Sequence, residues 1–326
     1  MARRRGLPFL LDFMETARIA RFQPRHSFTR ELEVRQAQQV KPQPEGCGWR
    51  GGYTSVDHGV LSYEYTVPPR LCETENGALS LPILLALCDE VTSWASISAD
   101  ATLRPGVSVV LSAELLRAAP IVASERLRFE SKVRKVGKTL SFLDVAVSTE
   151  AGEPIAAGRH LKFVDMGLAW NLAFGPRLYP LTRALARATA RDPAAPEPDL
   201  SPDLATLIDY ARETRAHAGR DTVTGRFKCD HRHLNDVGGV HGGYQALMHG
   251  YHGDASVVER SPGRAMQLRA MEVTYMAIGK PGTIEARSTP QRAEATSSIL
   301  TQTSQLVQQA TGAVLSEARL EYEEIN

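Results

Sequence analysis

The sequence predicts an α+β fold in which one chain holds two copies of a long helix wrapped by an antiparallel sheet, and three observations carry that prediction. Two long runs read as helices, LSLPILLALCDEVTSWASIS at 79–98 and HGGYQALMHGYHGDASVVE at 241–259, and each follows a strand-like stretch, GVLSYEYTV at 59–67 and TGRFKCDHRH at 224–233. After each helix come four alternating runs, broken at turn-forming residues such as Gly137-Lys138 and Ala151-Gly152-Glu153. The two series keep step: Gly152 and Gly312 are 160 residues apart, and so are Arg159 and Arg319. The first helix is too apolar to stand in water, so the sheet must curl round it. Sheet edges left bare would then favour pairing the copies side by side.

In the first copy the four runs are GVSVVLSAELLRA, ERLRFESKVRKVG, TLSFLDVAVSTEA and PIAAGRHLKFVDM. In the second they are RAMQLRAMEVTYMA, GTIEARSTPQRAE, SSILTQTSQLVQQ and AVLSEARLEYEE. This divides the chain into a basic N-terminal arm (1–54), a first unit (55–166), a connection (167–220) and a second unit (221–326). The connection contains RDPAAPEPDLSPD, whose proline density marks a linker, flanked by LAWNLAFGPRLYPLTRALARATA and LATLIDYARETRAH, which read as short helices.

Composition narrows the function. A chain of 326 residues with 43% apolar and 23% charged residues is long enough for two ordinary compact domains. Its 38 Lys and Arg balance 37 Asp and Glu, so it lacks the basic field that nucleic-acid binding uses. Cys47, Cys72, Cys88 and Cys229 form no CxxC pair, which fits a reducing compartment. No stretch approaches the roughly 20 apolar residues of a membrane span, so an integral membrane protein is not expected. The first thirty residues carry seven arginines against Asp12 and Glu15, with Phe9, Leu10, Phe13 and Ile19 on one helical face. That resembles a mitochondrial presequence, although the two acids count against it; the alternative is a basic surface helix docked on a cytoplasmic protein.

The order of elements resembles the hotdog fold, and HGGYQALMHGY, PGVSVVLSAELL, VGKTLSFLDVAV and IAAGRHLKF are similar to segments of PaaI-type acyl-CoA thioesterases. The resemblance covers 55–166 and 222–324 and implies a tandem, or double, hotdog whose copies pair as that family's dimers do. It also implies a shared active site. One copy contributes an asparagine and a glycine amide at the helix start to bind the thioester carbonyl; Asn235, His241, Gly242 and Gly243 match that set in the second copy. The other contributes an acid on its helix and a serine on the next strand to handle the attacking water; Asp89 and Ser108 match in the first copy. Aligning the helices at an offset of 161 puts Ser80 opposite His241, Thr74 opposite Asn235 and Gly250 opposite Asp89, with Asn76 two places out of register. Each copy lacks what the other keeps, so one composite site is expected and its mirror image is dead.

These residues suit the chemistry. A helix N-terminus presents backbone amides without intrahelical partners at the positive end of the dipole. Glycine at 242 and 243 removes the Cβ atoms that would keep a carbonyl away, against a propensity loss of about 1 kcal/mol per residue. Two glycines here can equally serve tight packing. Asn235 offers a second donor, and donors of this kind are worth about 3 kcal/mol or more in hydrolases. Asp89 serves either as general base or as a nucleophile forming an anhydride, and the sequence leaves both routes open. Ser108 orients water or carboxylate, and His241 shapes the helix entrance. A gap of about 4 to 8 Å between the Asp89 carboxylate and the Gly242 amide would leave room for substrate and water.

Other readings compete. Alternation would put Cys229, His231 and His233 of CDHRH on one strand face with metal-ligating chemistry, but no CxxC or HExxH accompanies them, and no metal or redox cofactor is expected. No GxSxG elbow marks a serine triad, and no second acid or base matches dehydratase or isomerase patterns. Lys138, Arg134 and Arg159 are candidates for coenzyme A phosphates. The expected partner is a small acyl thioester, of coenzyme A or of a carrier, with a further homo-oligomer or a complex left open. The rival function is an inactive, thioesterase-like structural subunit of a larger, mitochondrial complex.

Overall fold

Two helices with little polar surface organise the molecule, and the sheet forms around them. The computed structural model describes residues 28–32, 51–57, 59–73, 77–100, 102–175, 178–188, 200–213, 222–235, 238–291 and 298–325. A single helical turn, α1 (Phe28–Glu31), precedes the first copy. That copy comprises β1 (Gly51–Asp57), β2 (Val60–Thr66), β3 (Ala78–Leu79), α2 (Leu81–Ala99), β4 (Val107–Leu115), β5 (Ile121–Val122), β6 (Arg126–Val136), β7 (Leu140–Thr149) and β8 (Pro154–Phe163). The connection holds α3 (Gly167–Ala173), α4 (Tyr179–Ala188) and α5 (Leu204–Ile208). The second copy follows with β9 (Tyr210–Glu213), β10 (Val223–Cys229), α6 (Gly242–Arg260), β11 (Met266–Tyr275), β12 (Gly282–Pro290), β13 (Ile299–Gln308) and β14 (Val314–Glu324).

Twelve strands make one antiparallel sheet in the order β1-β2-β6-β7-β8-β4-β11-β14-β13-β12-β10-β9, which reads the same from both ends once the copies are matched. The halves join through β4 and β11, where Ser112 faces Glu272, Val110 faces Thr274 and Glu114 faces Ala270. Since 272 − 112 = 160, the repeat offset, the pseudo-twofold axis passes through the Ser112–Glu272 pair. The expected side-by-side pairing thus consumes the edge of each half-sheet that would otherwise be bare. α2 and α6 pack on each other under the sheet. By length and composition α2 could cross a bilayer, yet 89% of its apolar window is buried inside the molecule.

Four boundaries differ from the sequence expectation. β1 starts at Gly51, inside the stretch assigned to the arm, and β9 lies inside the connection; each adds a strand by backbone pairing, to β2 and β10, and pairing at a sheet edge needs no apolar alternation. The helix expected at 204–217 stops at Ile208, because Asp209 adopts a left-handed conformation (φ 42°) that turns the chain into β9. Finally, β10 ends at Cys229: the Asp230 side chain accepts from the Arg232 amide and caps a 3-10 turn over His231–His233, so CDHRH does not form one strand face. His233 is buried with both ring nitrogens engaged, by the Asp230 N–H and the Leu207 carbonyl. Among the described residues no His, Cys, Asp and Glu cluster of three or more is arranged for a metal ion.

The arm expectation falls largely on 1–27 and 33–50, outside the described residues. Residues 28–32 are integral to the body: Phe28 and Leu32 are buried, the Tyr65 hydroxyl donates to the Leu32 carbonyl at 2.6 Å, and Glu31 accepts from the Ser201 amide and pairs with Arg70. A cleavable leader would therefore have to end before Phe28. Cys72, Cys88 and Cys229 are buried free thiols, and Cys47 lies outside the described residues.

Candidate active site

The N-terminus of α6 abuts the middle of α2, and glycine makes that approach feasible. A Cβ on Gly243 would stand 2.9 Å from both Cα and Cβ of Ala86, closer than any side chain tolerates, so the packing role weighed for these glycines applies at 243. At Gly242 the neighbour is chemical: a Cβ there would lie 2.9 Å from Asp89 Oδ2 and 3.2 Å from Ser108 Oγ. His241 is the N-cap, its Nδ1 accepting from the Gly243 N–H at 2.9 Å. The ring of Phe28 packs on the His241 ring with centroids 5.3 Å apart.

Asp89 spans the junction between the copies. Its Oδ2 accepts from the Gly243 amide at 2.9 Å, and its Oδ1 accepts from the Ser108 hydroxyl at 3.1 Å. Asp89 thus engages the amide next to the one expected to face it across a gap, as a buried carboxylate within reach of a helix N-terminus does. The amide of Gly242 has no hydrogen-bond partner among the described residues, and Gly242 lines a cavity of about 490 Å³ together with Asp89, Ser108, Asn235 and His241. Asn235 is held by its Oδ1, which accepts from the Gly239 N–H at 3.0 Å. The predicted residues therefore meet at one cavity, apart from Gly243, whose amide is occupied by Asp89 and His241.

Two cationic or basic residues that sequence reasoning did not single out complete the site. Lys162 is buried, donates to Ser93 Oγ at 2.8 Å and stands 3.7 Å from Asp89 Oδ1. His160 lies with Nε2 3.0 Å from Ser108 Oγ and Nδ1 2.6 Å from Thr92 Oγ1. Ser108 has one proton and gives it to Asp89, so His160 donates from Nε2, while its Nδ1 faces Thr92 Oγ1, whose hydroxyl also lies 2.5 Å from the Cys88 carbonyl. Burial, helped by the charge of Lys162, pushes His160 down to about 3 and keeps it neutral. His241 is also lowered by burial, which agrees with its Nδ1 acting as acceptor. Burial lowers the Lys162 ammonium too, opposed by Asp89 and Glu90. For Asp89 burial works against the charge, yet the Lys162 ammonium, leading its neighbours, and the Ser108 hydrogen bond hold it well below the usual carboxylate range.

His160 and Lys162 had a legible signal. They sit two apart on β8, on the inward parity of Ala156, whereas Arg159, next to His160, points out. Arg159 and Arg134 line a separate groove on the outer sheet face, where Arg134 pairs with Asp144, and neither borders the cavity. Gln245 also lines the cavity, and its buried Oε1 has no hydrogen-bond partner among the described residues.

No family model matches the sequence, and no curated protein does. Solved structures do. The tesB protein of Mycobacterium avium subs paratuberculosis superposes with a TM-score of 0.57 at 13% identity, covering 81% of this chain and 93% of that one. A protein assigned as an oleoyl thioesterase from Lactobacillus plantarum gives 0.55 at 12% identity over 82% and 97% of the two chains. An acyl-CoA thioesterase II from Mycobacterium marinum gives 0.50 at 13%, over 81% and 91%. The fold is a double hotdog. Identities this low carry the architecture and not the chemistry.

Within the double hotdog the pseudo-twofold axis generates a second junction, and it is closed. At an offset of 161, Gly242 and Gly243 correspond to Leu81 and Pro82, and Asp89 corresponds to Gly250. Pro82 has no N–H to offer, Gly250 has no carboxylate, and the Pro82 ring sits so close to Gly250 that a Cβ there would overlap it. Ser80, in the place of His241, makes no side-chain cap.

Proposed function

We propose that this chain hydrolyses an acyl thioester, of coenzyme A or of an acyl carrier, at one composite site of PaaI-type arrangement between its two hotdog copies. The observation that carries the reading is the Asp89 carboxylate of the first copy seated on the α6 tip of the second, at the wall of a cavity that also holds Gly242 and Asn235. The thioester carbonyl oxygen accepts from the Gly242 amide and the Asn235 NH2, donors placed where negative charge develops. Asp89, kept ionised by Lys162 and oriented by the Gly243 amide and Ser108, takes a proton from water as the water oxygen bonds to the carbonyl carbon. Collapse of the adduct breaks the C–S bond, and the thiolate recovers the proton from Asp89. Neutral His160 fixes the Ser108 hydroxyl and carries no charge to compete for the carboxylate. The test is hydrolysis of an acyl-CoA panel by the purified chain: wild type should turn over at least one member, with Asp89→Asn and Asn235→Ala folded but inactive. Equal turnover by wild type and Asp89→Asn would remove the proposal.

A further inference from the structure

Tyr275 ends β11 on the inward parity of Met271 and Val273, at the wall of the active-site cavity. Its neighbour Thr274 faces Val110 of β4, so the ring stands where the half-sheets join, beside the strand that carries Ser108. It also lies against the tip of α6: a Cβ on Gly242 would be 3.4 Å from Tyr275 Cζ, and the hydroxyl donates to the Gly242 carbonyl at 2.9 Å. The direction of that bond is fixed, because a carbonyl only accepts. Burial and the charge of Asp89 push the Tyr275 phenol up, which keeps it protonated. The peptide unit that receives this bond is the one whose N–H, on Gly243, donates to Asp89 Oδ2 at 2.9 Å. Hydroxyl, peptide and carboxylate therefore form one chain of hydrogen bonds, in which each bond polarises the next.

The second junction lacks both ends of that chain. At the sheet offset of 160, Leu115, the last residue of β4, stands in the place of Tyr275 and has no hydroxyl. The matching peptide joins Leu81 to Pro82 and has no N–H. The relay thus accompanies the acid at one junction and is missing with it at the other.

We propose that Tyr275 is a positioning residue for Asp89, acting through the peptide between Gly242 and Gly243. Its hydroxyl fixes the plane of that peptide and strengthens the Gly243 amide as a donor, so the carboxylate keeps one orientation toward the water it activates. The kinetic part of the proposal rests on the thioesterase reading; the chain of bonds does not.

One nuclear magnetic resonance signal reports both ends. Glycine labelled with 13C at the carbonyl and with 15N gives amide-to-carbonyl correlations only from Gly-Gly pairs, of which the sequence holds three, at 51–52, 238–239 and 242–243. The 242–243 correlation carries the carbon that accepts from Tyr275 and the proton given to Asp89, and Asp89→Asn identifies it by moving that proton. In Tyr275→Phe, which keeps the ring, carbon and proton are both expected to move upfield. The proton should move less when Asp89 is already Asn, since coupling between the two groups is what the double variant isolates. In turnover, kcat should fall about tenfold with KM within about twofold, as loss of orientation rather than of binding gives. A Gly243 proton that stays in place, or one that shifts equally in both backgrounds as a general loosening of the tip would cause, overturns the proposal. Unchanged kcat in an active enzyme overturns it too. A wild type that hydrolyses nothing would sink the enzyme reading alone, because the correlation still decides the relay.

Discussion

The two helix tips of this molecule are related by a pseudo-twofold axis and have opposite chemistry. At the start of α6 an N-capping histidine, a Gly242 amide with no partner among the described residues and a facing carboxylate border a cavity. At the start of α2 a proline ring presses on Gly250, with Leu81 in the place of Gly242 and no acid at the position matching Asp89. The fold treats both junctions as equivalent packing problems, so the difference lies in a few side chains. At the second junction the Pro82 ring occupies the space beside Gly250. Close packing of the helices persists at both ends: Gly243 admits Ala86 and Gly250 admits Pro82.

Breaking the comparison should give effects of graded size. The largest falls on the acid. Asp89→Asn is expected to lower kcat by about 10² to 10⁴, as loss of a general base does, whereas Asp254→Asn, on the second copy's helix, leaves kcat unchanged. Next come the glycines. Gly242→Ala should lower kcat/KM on the order of 10²-fold, because its methyl would stand 2.9 Å from Asp89 Oδ2, without loss of stability in urea. Gly250→Ala should do the reverse, costing about 1 to 3 kcal/mol through overlap with Pro82 while kcat/KM holds.

Removing the cation is subtler. Because the Asp89 pKa is held below its usual value, wild-type kcat/KM should stay flat as pH falls from neutrality through the ordinary carboxylate value of about 4, and no limb should appear near the usual histidine value of about 6.5. In Lys162→Met the burial effect on Asp89 is left less opposed, and the acid limb should move up by about one pH unit or more. The smallest effect concerns stability. Burial raises Asp254 to about 7, so its carboxyl binds a proton more tightly folded than unfolded; the folded state is favoured below that value and loses the advantage as pH rises through it. Asp254→Asn should therefore raise Tm relative to wild type above pH 7 more than below pH 5.

Much of this was legible in the sequence, and the pattern of what was not has physical causes. The paired helices, the four strands after each and the offset that locates the axis are all written in apolar periodicity, since each element buries a face. Asp89, Ser108, Asn235, His241 and Gly242 were legible as a constellation, and they meet at one cavity. β1 and β9 escaped because edge strands are specified by backbone pairing. His160 and Lys162 escaped because a strand segment read for its resemblance hid two ionisable groups of inward parity. That Asp89 would occupy the Gly243 amide, and that Phe28 would pack behind His241, are consequences of long-range contacts that local sequence does not encode.

The number of sites per chain tests this account most directly. Calorimetric titration of the full-length protein with a non-hydrolysable acyl-CoA thioether should give one site per chain, lost in Gly242→Ala and retained in Gly250→Ala. Two sites per chain, or binding indifferent to Gly242, would contradict the division of the two junctions into one open and one closed.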